Sequence, residues 1–382
     1  MKNRKLFIFA IVTLAVILAA GITSRLRAPQ STLSKQVLLP ELAGRINDIA
    51  GITIKGNRRT VILKQQGGIW VVASTDNYPA LFNKIKQNVV GMSELKIVDR
   101  KTDNPEFYGR LGVEGPDVEG TKSLLLTLQD RSGHTMAELI VGNKRQSSSN
   151  KPGLYVRKPD AAQALLVEGF LDISDKPPDW FENHLFDIPD ARVQEVRISY
   201  PPAGEQAQED LVIRKDTGEQ PEFAVNLPSP GTDPSTTIVA DRISRGLVEM
   251  RAENVRSLQN FNFPEDATIT TTVSTFDGLV VTARLTKKDR AHYANFMFAA
   301  NPTATAGTTG STDAGTTGDE PAGAVPATDQ TAAFAPMSPE AEAEILNQHL
   351  SSWVYEIPDF LFEALTTRPE QFRKLKLLPD EE

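Results

Sequence analysis

Asp48–Val72, DIAGITIKGNRRTVILKQQGGIWVV, is the stretch on which the fold turns. Short alternating apolar runs occupy Asp48–Ile54, Thr60–Leu63 and Ile69–Val72, interrupted by Lys55-Gly56-Asn57-Arg58 and by Gly67-Gly68. A period of two punctuated by Gly and Asn is the pattern of half-buried strands joined by tight turns, so the stretch predicts an antiparallel meander. A helix should follow over Ala80–Met92, with Asp76 or Asn77 as its cap and Pro79 in its first turn. Its apolar stripe would be Leu81, Phe82, Ile85, Val89 and Met92, the spacing of a helix docked on a sheet.

Further along, a short helix is expected over Asn104–Leu111. Thr121–Leu128 and Thr135–Val141 flank Asp130-Arg131-Ser132-Gly133, a hairpin signal. Strands are expected at Leu154–Arg157 and Leu165–Glu168, and Pro177-Pro178-Asp179-Trp180 opens another short helix. From there the chain starts again. Arg192–Tyr200, Asp210–Arg214 and Glu222–Val225 repeat the three-strand pattern, and Thr236–Met250 repeats the helix. Shifted by 158 positions, Leu81, Ile85, Val89, Val90 and Met92 fall on Val239, Ile243, Leu247, Val248 and Met250. Asp277-Gly278 marks a hairpin between Ala267–Thr275 and Leu279–Leu285, and Ser352–Ile357 resembles Ala164–Gly169. The spacing predicts an internal duplication. Asn301–Pro336 interrupts the second copy with a run of Ala, Thr, Gly, Asp and Pro. Such a segment has too little apolar surface to offset its ordering entropy and is expected to be disordered. A further helix starts at Ser338-Pro339-Glu340.

Upstream of the meander, Leu6–Thr23 is a run of eighteen residues without a charge. As a helix it would span roughly 27 Å, close to a hydrocarbon core of roughly 30 Å. Lys2, Arg4 and Lys5 precede it, which by the positive-inside tendency leaves the rest of the chain across the membrane. A cleaved secretory signal, with Ala19-Ala20-Gly21 as the cleavage region, is the alternative to a retained anchor. The formal charge is −8, and residues 1–27 hold five basic and no acidic groups, which leaves −13 on the remainder. An acidic body argues against nucleic acid as a partner. The chain has no cysteine, which removes disulfides, thiolate zinc sites and cysteine nucleophiles together.

No catalytic, cofactor-binding or metal-binding residue is assigned. His134, His184, His292 and His349 never pair at helical spacing, so no zinc motif exists. Ser148-Ser149-Asn150-Lys151 matches S-x-x-K, but it lies in a Ser-rich loop without a K-T-G partner. Asp172, Asp175, Asp179 and Glu182 cluster in twelve residues. They suit either acid–base chemistry or a solvated joint between the two repeats. Lys55, Arg58 and Arg59 crowd one hairpin turn, as an exposed tip or as a contact for an anionic partner. Trp70, Trp180 and Trp353 are expected in packing positions.

The order of features then carries a resemblance. GGIWVV at Gly67–Val72, ELKIVDRKTDNPEFYGRLGV at Glu94–Val113, ELIVGNKR at Glu138–Arg145 and GLYVRKPDAAQALLVEG at Gly153–Gly169 resemble the DUF4340 family of bacterial proteins. The resemblance covers most of residues 40–290 and omits the low-complexity insertion. It implies an anchored envelope protein whose gene often accompanies an ABC-type transporter of the gliding-motility kind and its large auxiliary subunit. It implies no catalytic residues.

Together these readings predict an α+β protein with one N-terminal transmembrane helix and two tandem copies of an antiparallel meander–helix–meander unit. The expected parts are a cytoplasmic stub (1–5), the anchor (6–23), a periplasmic tether (24–44), a first repeat (45–190) and a second repeat (191–382) with the disordered insertion 301–336. The expected location is the inner membrane, single-pass, with the N-terminus in the cytoplasm and the bulk of the chain periplasmic. The expected role is a non-enzymatic accessory or scaffold protein with inner-membrane partners, an ABC-type transporter and its auxiliary subunits among them, and without a cofactor. A module binding cell-wall or surface polysaccharide and an envelope hydrolase using the Asp172–Glu182 carboxylates are the alternatives.

Overall fold

The alternation at Asp48–Val72 becomes strands β1 (Ile49–Lys55), β2 (Thr60–Gln66) and β3 (Ile69–Val72) in the computed structural model, which describes residues 36–145, 152–202, 208–218, 223–226, 241–301 and 337–369. The described chain forms two units. The first is drawn from Met1–Gln65 and Phe82–Asp175, the second from Gln66–Leu81 and Lys176–Glu382.

In the first unit, β1 pairs antiparallel with β2 from Gly51↔Lys64 to Lys55↔Thr60, and the tip closes by Gly56 N–H donating to Arg59 O at 2.9 Å. The remaining strands are β5 (Lys96–Arg100), β6 (Leu124–Asp130), β7 (Thr135–Lys144), β8 (Gly153–Arg157) and β9 (Ala164–Glu168). They run in the order β2-β1-β6-β7-β8-β9-β5. Gly133, at φ 85°, supplies the left-handed residue of the β6–β7 turn. Helix α1 (Pro40–Ala43) is followed by α2 (Phe82–Ser93), which buries Ile85, Val89 and Met92. Each such side chain contributes roughly 1.5–3 kcal/mol of burial. Asn88 fixes where α2 ends up. Its side chain accepts from Asp172 N–H at 2.7 Å and donates to Asp172 O at 3.0 Å, so one amide satisfies both backbone groups of a loop residue. Gly91 allows the approach, because a β-carbon there would lie 2.6 Å from Phe170 O.

In the second unit the strands are β11 (Val193–Ser199), β12 (Leu211–Arg214), β13 (Ala224–Asn226), β15 (Asn254–Ser257), β16 (Ile269–Thr275), β17 (Leu279–Lys288), β18 (Ala291–Ala300) and β19 (Trp353–Glu356). Their order is β13-β12-β11-β16-β17-β18-β19-β15. From β12 onward it coincides strand for strand with the order β2-β1-β6-β7-β8-β9-β5. The ladder joining β11 to β16 slips between Val193 and Glu195, as that joining β1 to β6 slips between Ile49 and Gly51. Helix α4 (Pro339–Leu350) is capped by Ser338 Oγ, which accepts from Ala341 N–H at 3.3 Å. Asn347 ties it to β18, donating to Phe298 O at 2.6 Å and accepting from Phe298 N–H at 3.0 Å. Arg192 bridges Glu342 of α4 and Asp277 of the β16–β17 turn, at 2.8 and 2.7 Å. A short ladder joins β10 (His184–Phe186) to β14 (Met250–Arg251).

The hairpin of β3 and β4 (Tyr78–Pro79) also belongs to the second unit. The Tyr78 ring stands edge-on to Trp353 at 4.8 Å, Phe181 at 5.2 Å and Tyr355 at 6.3 Å. Burial, the nearby Tyr355 hydroxyl notwithstanding, pushes the Tyr78 phenol above its ordinary range, and burial does the same more strongly to Tyr355. Asp76 accepts from Ser257 N–H at 2.9 Å, and Leu81 N–H donates to Trp180 O at 2.8 Å.

Several expectations are corrected. No helix among the described residues is long and apolar enough to cross a membrane. The longest, α2 and α4, have twelve residues each, and α4 carries Glu340, Glu342 and Glu344. A transmembrane helix needs about 20 apolar residues. The anchored fold class and the single-pass inner-membrane localisation therefore give way to a mostly antiparallel sheet structure with few, short helices. Leu6–Thr23, on which both rested, lies outside the described residues, as does residue stretch 302–336 of the insertion. Gln36–Gly44, expected as tether, is packed: Leu38 N–H donates to Leu95 O at 2.7 Å, and Leu38, Leu39 and Leu42 are buried. Asp76 and Asn77 sit at positive φ in the turn before β4 and do not cap α2, and Pro79 is a strand residue. Phe82, placed on the apolar stripe, is exposed. The second helix is helical only to Ser244 among described residues. Arg245–Leu247 is a 3₁₀ turn around Gly246, and Met250 enters β14.

Candidate functional site

The residues that carry the family resemblance converge in the first unit. Asn104 accepts from Glu106 N–H at 3.0 Å and opens the turn that leads into α3 (Tyr108–Leu111). Tyr108, Val113, Ile140 and Ala164 form a buried cluster against Leu111, Leu125 and Tyr155. The Tyr108 hydroxyl donates to Ala162 O. Gly112 ends α3 at φ 66°, and Asn143 donates to Arg110 O at 3.3 Å. Gly142 lies flat beneath this turn: a β-carbon there would stand 2.7 Å from Gly112 O and closer still to Leu111 O.

Arg157, at the end of β8, is buried and has no acidic partner among the described residues. Its guanidinium donates from Nε to Val113 O at 3.0 Å and from Nη1 to Ala161 O at 3.1 Å, Pro159 O at 3.3 Å and Lys158 O at 3.4 Å. It also stacks over the Tyr108 ring at 4.6 Å. A planar fork of donors suits a ring of carbonyls in a way that a lysine ammonium does not. Tyr108, Gly112, Gly142 and Arg157 thus hold backbone in place.

A concave feature of the first unit lies at the β1–β2 tip. A cavity of about 540 Å³ is lined by Gly56–Arg59, Gly120–Leu124 and Ile173–Asp175. Asn57 braces it by donating to Val118 O at 2.9 Å and Pro116 O at 3.2 Å, which fixes the tip to the loop before β6. Thr121 donates to the buried Ser123 hydroxyl at 3.1 Å. The Asp175 carboxylate packs on Gly56, whose β-carbon would lie 2.8 Å from Asp175 Cγ. Lys55 pairs with Asp117 at 2.7 Å. The side chains of Arg58, Arg59 and Lys122 are exposed and make no hydrogen bond or ion pair among the described residues. The sequence had singled out Lys55, Arg58 and Arg59. Lys122 joins them only through the fold.

The other singled-out residues are dispersed. Asp172 pairs with Lys84 at 3.0 Å, and Asp172 and Asp175 belong to the first unit, Asp179 and Glu182 to the second. Glu182 accepts from His184 N–H at 3.3 Å. His134 contacts Ser132 Oγ at 2.6 Å in an exposed turn. His292 contacts Asp359 at 2.8 Å and stacks on Phe362 at 4.1 Å, and His349 contacts Ile345 O at 2.8 Å. Among the described residues no three His, Asp or Glu side chains are grouped to hold a metal ion. Ser148–Lys151 lies outside the described residues. Trp180 is buried, while Trp70 and Trp353 are half-buried.

No curated protein matches the chain. A profile of the family described as "Domain of unknown function (DUF4340)" matches residues 70–294, more than half of the chain, from within β3 to the middle of β18. It takes in Tyr108, Gly112, Gly142 and Arg157, the residues that hold the turn after α3, and the chain belongs to the DUF4340 family.

Proposed function

We propose that the chain is a non-catalytic accessory protein that binds and positions other proteins, with subunits of an ABC-type transport or envelope complex as its partner class. One observation carries this reading. Three polar residues within the family-like motifs, Tyr108, Asn143 and Arg157, are engaged with backbone carbonyls of their own unit. An enzyme's most characteristic polar groups converge on a pocket where a substrate can reach them. Here they build a rigid sheet-and-turn platform, which is what a binding module requires. The partner class itself comes from the family resemblance.

The test is crosslinking followed by affinity purification of the full chain from native cells. The expected result is stoichiometric recovery of transport-complex subunits. Recovery of polysaccharide without protein would replace the reading by a glycan-binding one. Hydrolysis of envelope polymers by the purified chain, lost on Asp172→Asn or Asp175→Asn, would replace it by an enzyme.

A further inference from the structure

We propose that the cavity at the β1–β2 tip is a docking site for an acidic, extended polypeptide segment. The inference deepens the accessory reading above and rests on it for the class of partner.

Four observations support it. The chain is acidic as a whole, with a formal charge of −8, yet this cavity gathers Arg58, Arg59 and Lys122 against a single acid, Asp175. On such a surface, cations with no partner among the described residues are free to take an external anion. The cations come from two separate segments, the hairpin tip and the loop before β6, which the fold brings to one cavity. The frame beneath them is braced by the two Asn57 hydrogen bonds.

The size of the cavity decides between anions. A single phosphate is bound by donors converging on one centre, commonly backbone N–H groups with a bidentate arginine. An open cavity of about 540 Å³ is large for one such group. An extended acidic segment fills such a volume and brings more than one carboxylate to the three cations. The half-buried Leu124 and Ile173 in the lining offer apolar contact to side chains between the acids. Rim charges of this kind act on association rate and on salt dependence more than on ultimate affinity.

The test uses the full chain and a labelled peptide in which glutamate alternates with serine, with leucine near its centre. Inorganic phosphate and polyphosphate serve as competitors. Saturable binding that weakens with salt is expected, together with a loss of about tenfold or more in association rate at low salt in Arg58→Ser/Arg59→Ser/Lys122→Ser. A charge-matched control, Lys64→Ser/Lys86→Ser/Lys96→Ser, removes exposed lysines elsewhere on the same unit and should stay within about twofold of the parent. Equal loss in both variants overturns the site, as does binding of phosphate in preference to the peptide, or no binding of the peptide by the parent. The two proposals fail separately. If transport subunits co-purify equally with the parent and the tip variant, the docking site is wrong and the accessory reading stands. If the peptide binds at the tip but no protein co-purifies, the accessory reading is wrong.

Discussion

Replacing Arg157 by Met tests whether the turn after α3 is held by a guanidinium or merely packed beside one. Methionine keeps the length and apolar stem of the side chain and removes the donors. The best-made bond, Nε to Val113 O at 3.0 Å, lies at a fully buried residue, and a hydrogen bond to a charged group contributes about 1.5–3 kcal/mol. The stacking on Tyr108 adds roughly 1 kcal/mol. The bonds to Lys158 and Pro159, at 3.4 and 3.3 Å, are long and face more exposed residues, so water replaces them at little cost. Relief from desolvating the cation offsets part of the loss. The expected destabilisation is about 2–4 kcal/mol. Arg157→Lys should cost nearly as much, because one ammonium cannot reach the separated carbonyls. Trp70, Trp180 and Trp353 all lie in the second unit, so tryptophan fluorescence would not report this loss. Amide hydrogen exchange along β8 under increasing urea does report it. A stability for Arg157→Met within about 0.5 kcal/mol of the parent, or full rescue by lysine, would refute the reasoning.

Gly142→Ala should destabilise the first unit by about 1–3 kcal/mol through its clash with Gly112 O and Leu111 O. Gly115→Ala, where a β-carbon meets open space, should change stability by less than about 0.5 kcal/mol; thermal melts of the pair check both. Ile85→Ala and Ile243→Ala each remove a side chain that is 1% exposed and should cost about 2–5 kcal/mol in urea unfolding. Burial raises Asp277, but hydrogen bonds from Thr275 and Arg192 and the guanidinium charge outweigh it, so its carboxyl ends below the usual range. Its stabilisation is therefore present above a pH of about 4 and fades as the pH falls through the folded value. Arg192→Met should flatten that acid limb of a stability–pH curve. At the alkaline end, Tyr355 is held neutral by burial while unfolded tyrosines ionise, so stability should fall above a pH of about 10, less steeply in Tyr355→Phe.

What the sequence could announce was whatever one face of an element displays. The meander, the Asp130–Gly133 and Asp277-Gly278 turns and the buried Ile85, Val89 and Met92 follow from period and turn chemistry. β18 escaped because Ala291–Ala300 lies between β17 and β19 and buries four consecutive residues, Tyr293–Phe296, so no alternation marks it. Arg157 gave no sign because a charged residue ending an apolar strand reads as facing solvent, and only the fold brings Val113 O to it beside the carbonyls of Lys158, Pro159 and Ala161. Pro79 looked like a helix start because proline is at home there. Tertiary contacts of Tyr78 made it a strand instead. Of the basic cavity, the cluster local in sequence was legible, and Lys122 was not, since it arrives from a loop more than sixty positions away.

The placement of Gln66–Leu81 in the second unit has a consequence for how the chain can be made. Asp76 meets Ser257 across 181 positions, and Tyr78 meets Trp353 and Tyr355 from the far end of the described chain. During synthesis this hairpin leaves the ribosome well before the aromatic rings that will enclose it exist, so its apolar face waits for partners made much later. A cut between Asp175 and Lys176 yields no complete second half, only a body with a slot where Tyr78 belongs. A synthetic Gln66–Leu81 peptide supplied in trans should fill that slot and restore the near-ultraviolet signal of Trp353, making one unit assemble from two separate chains.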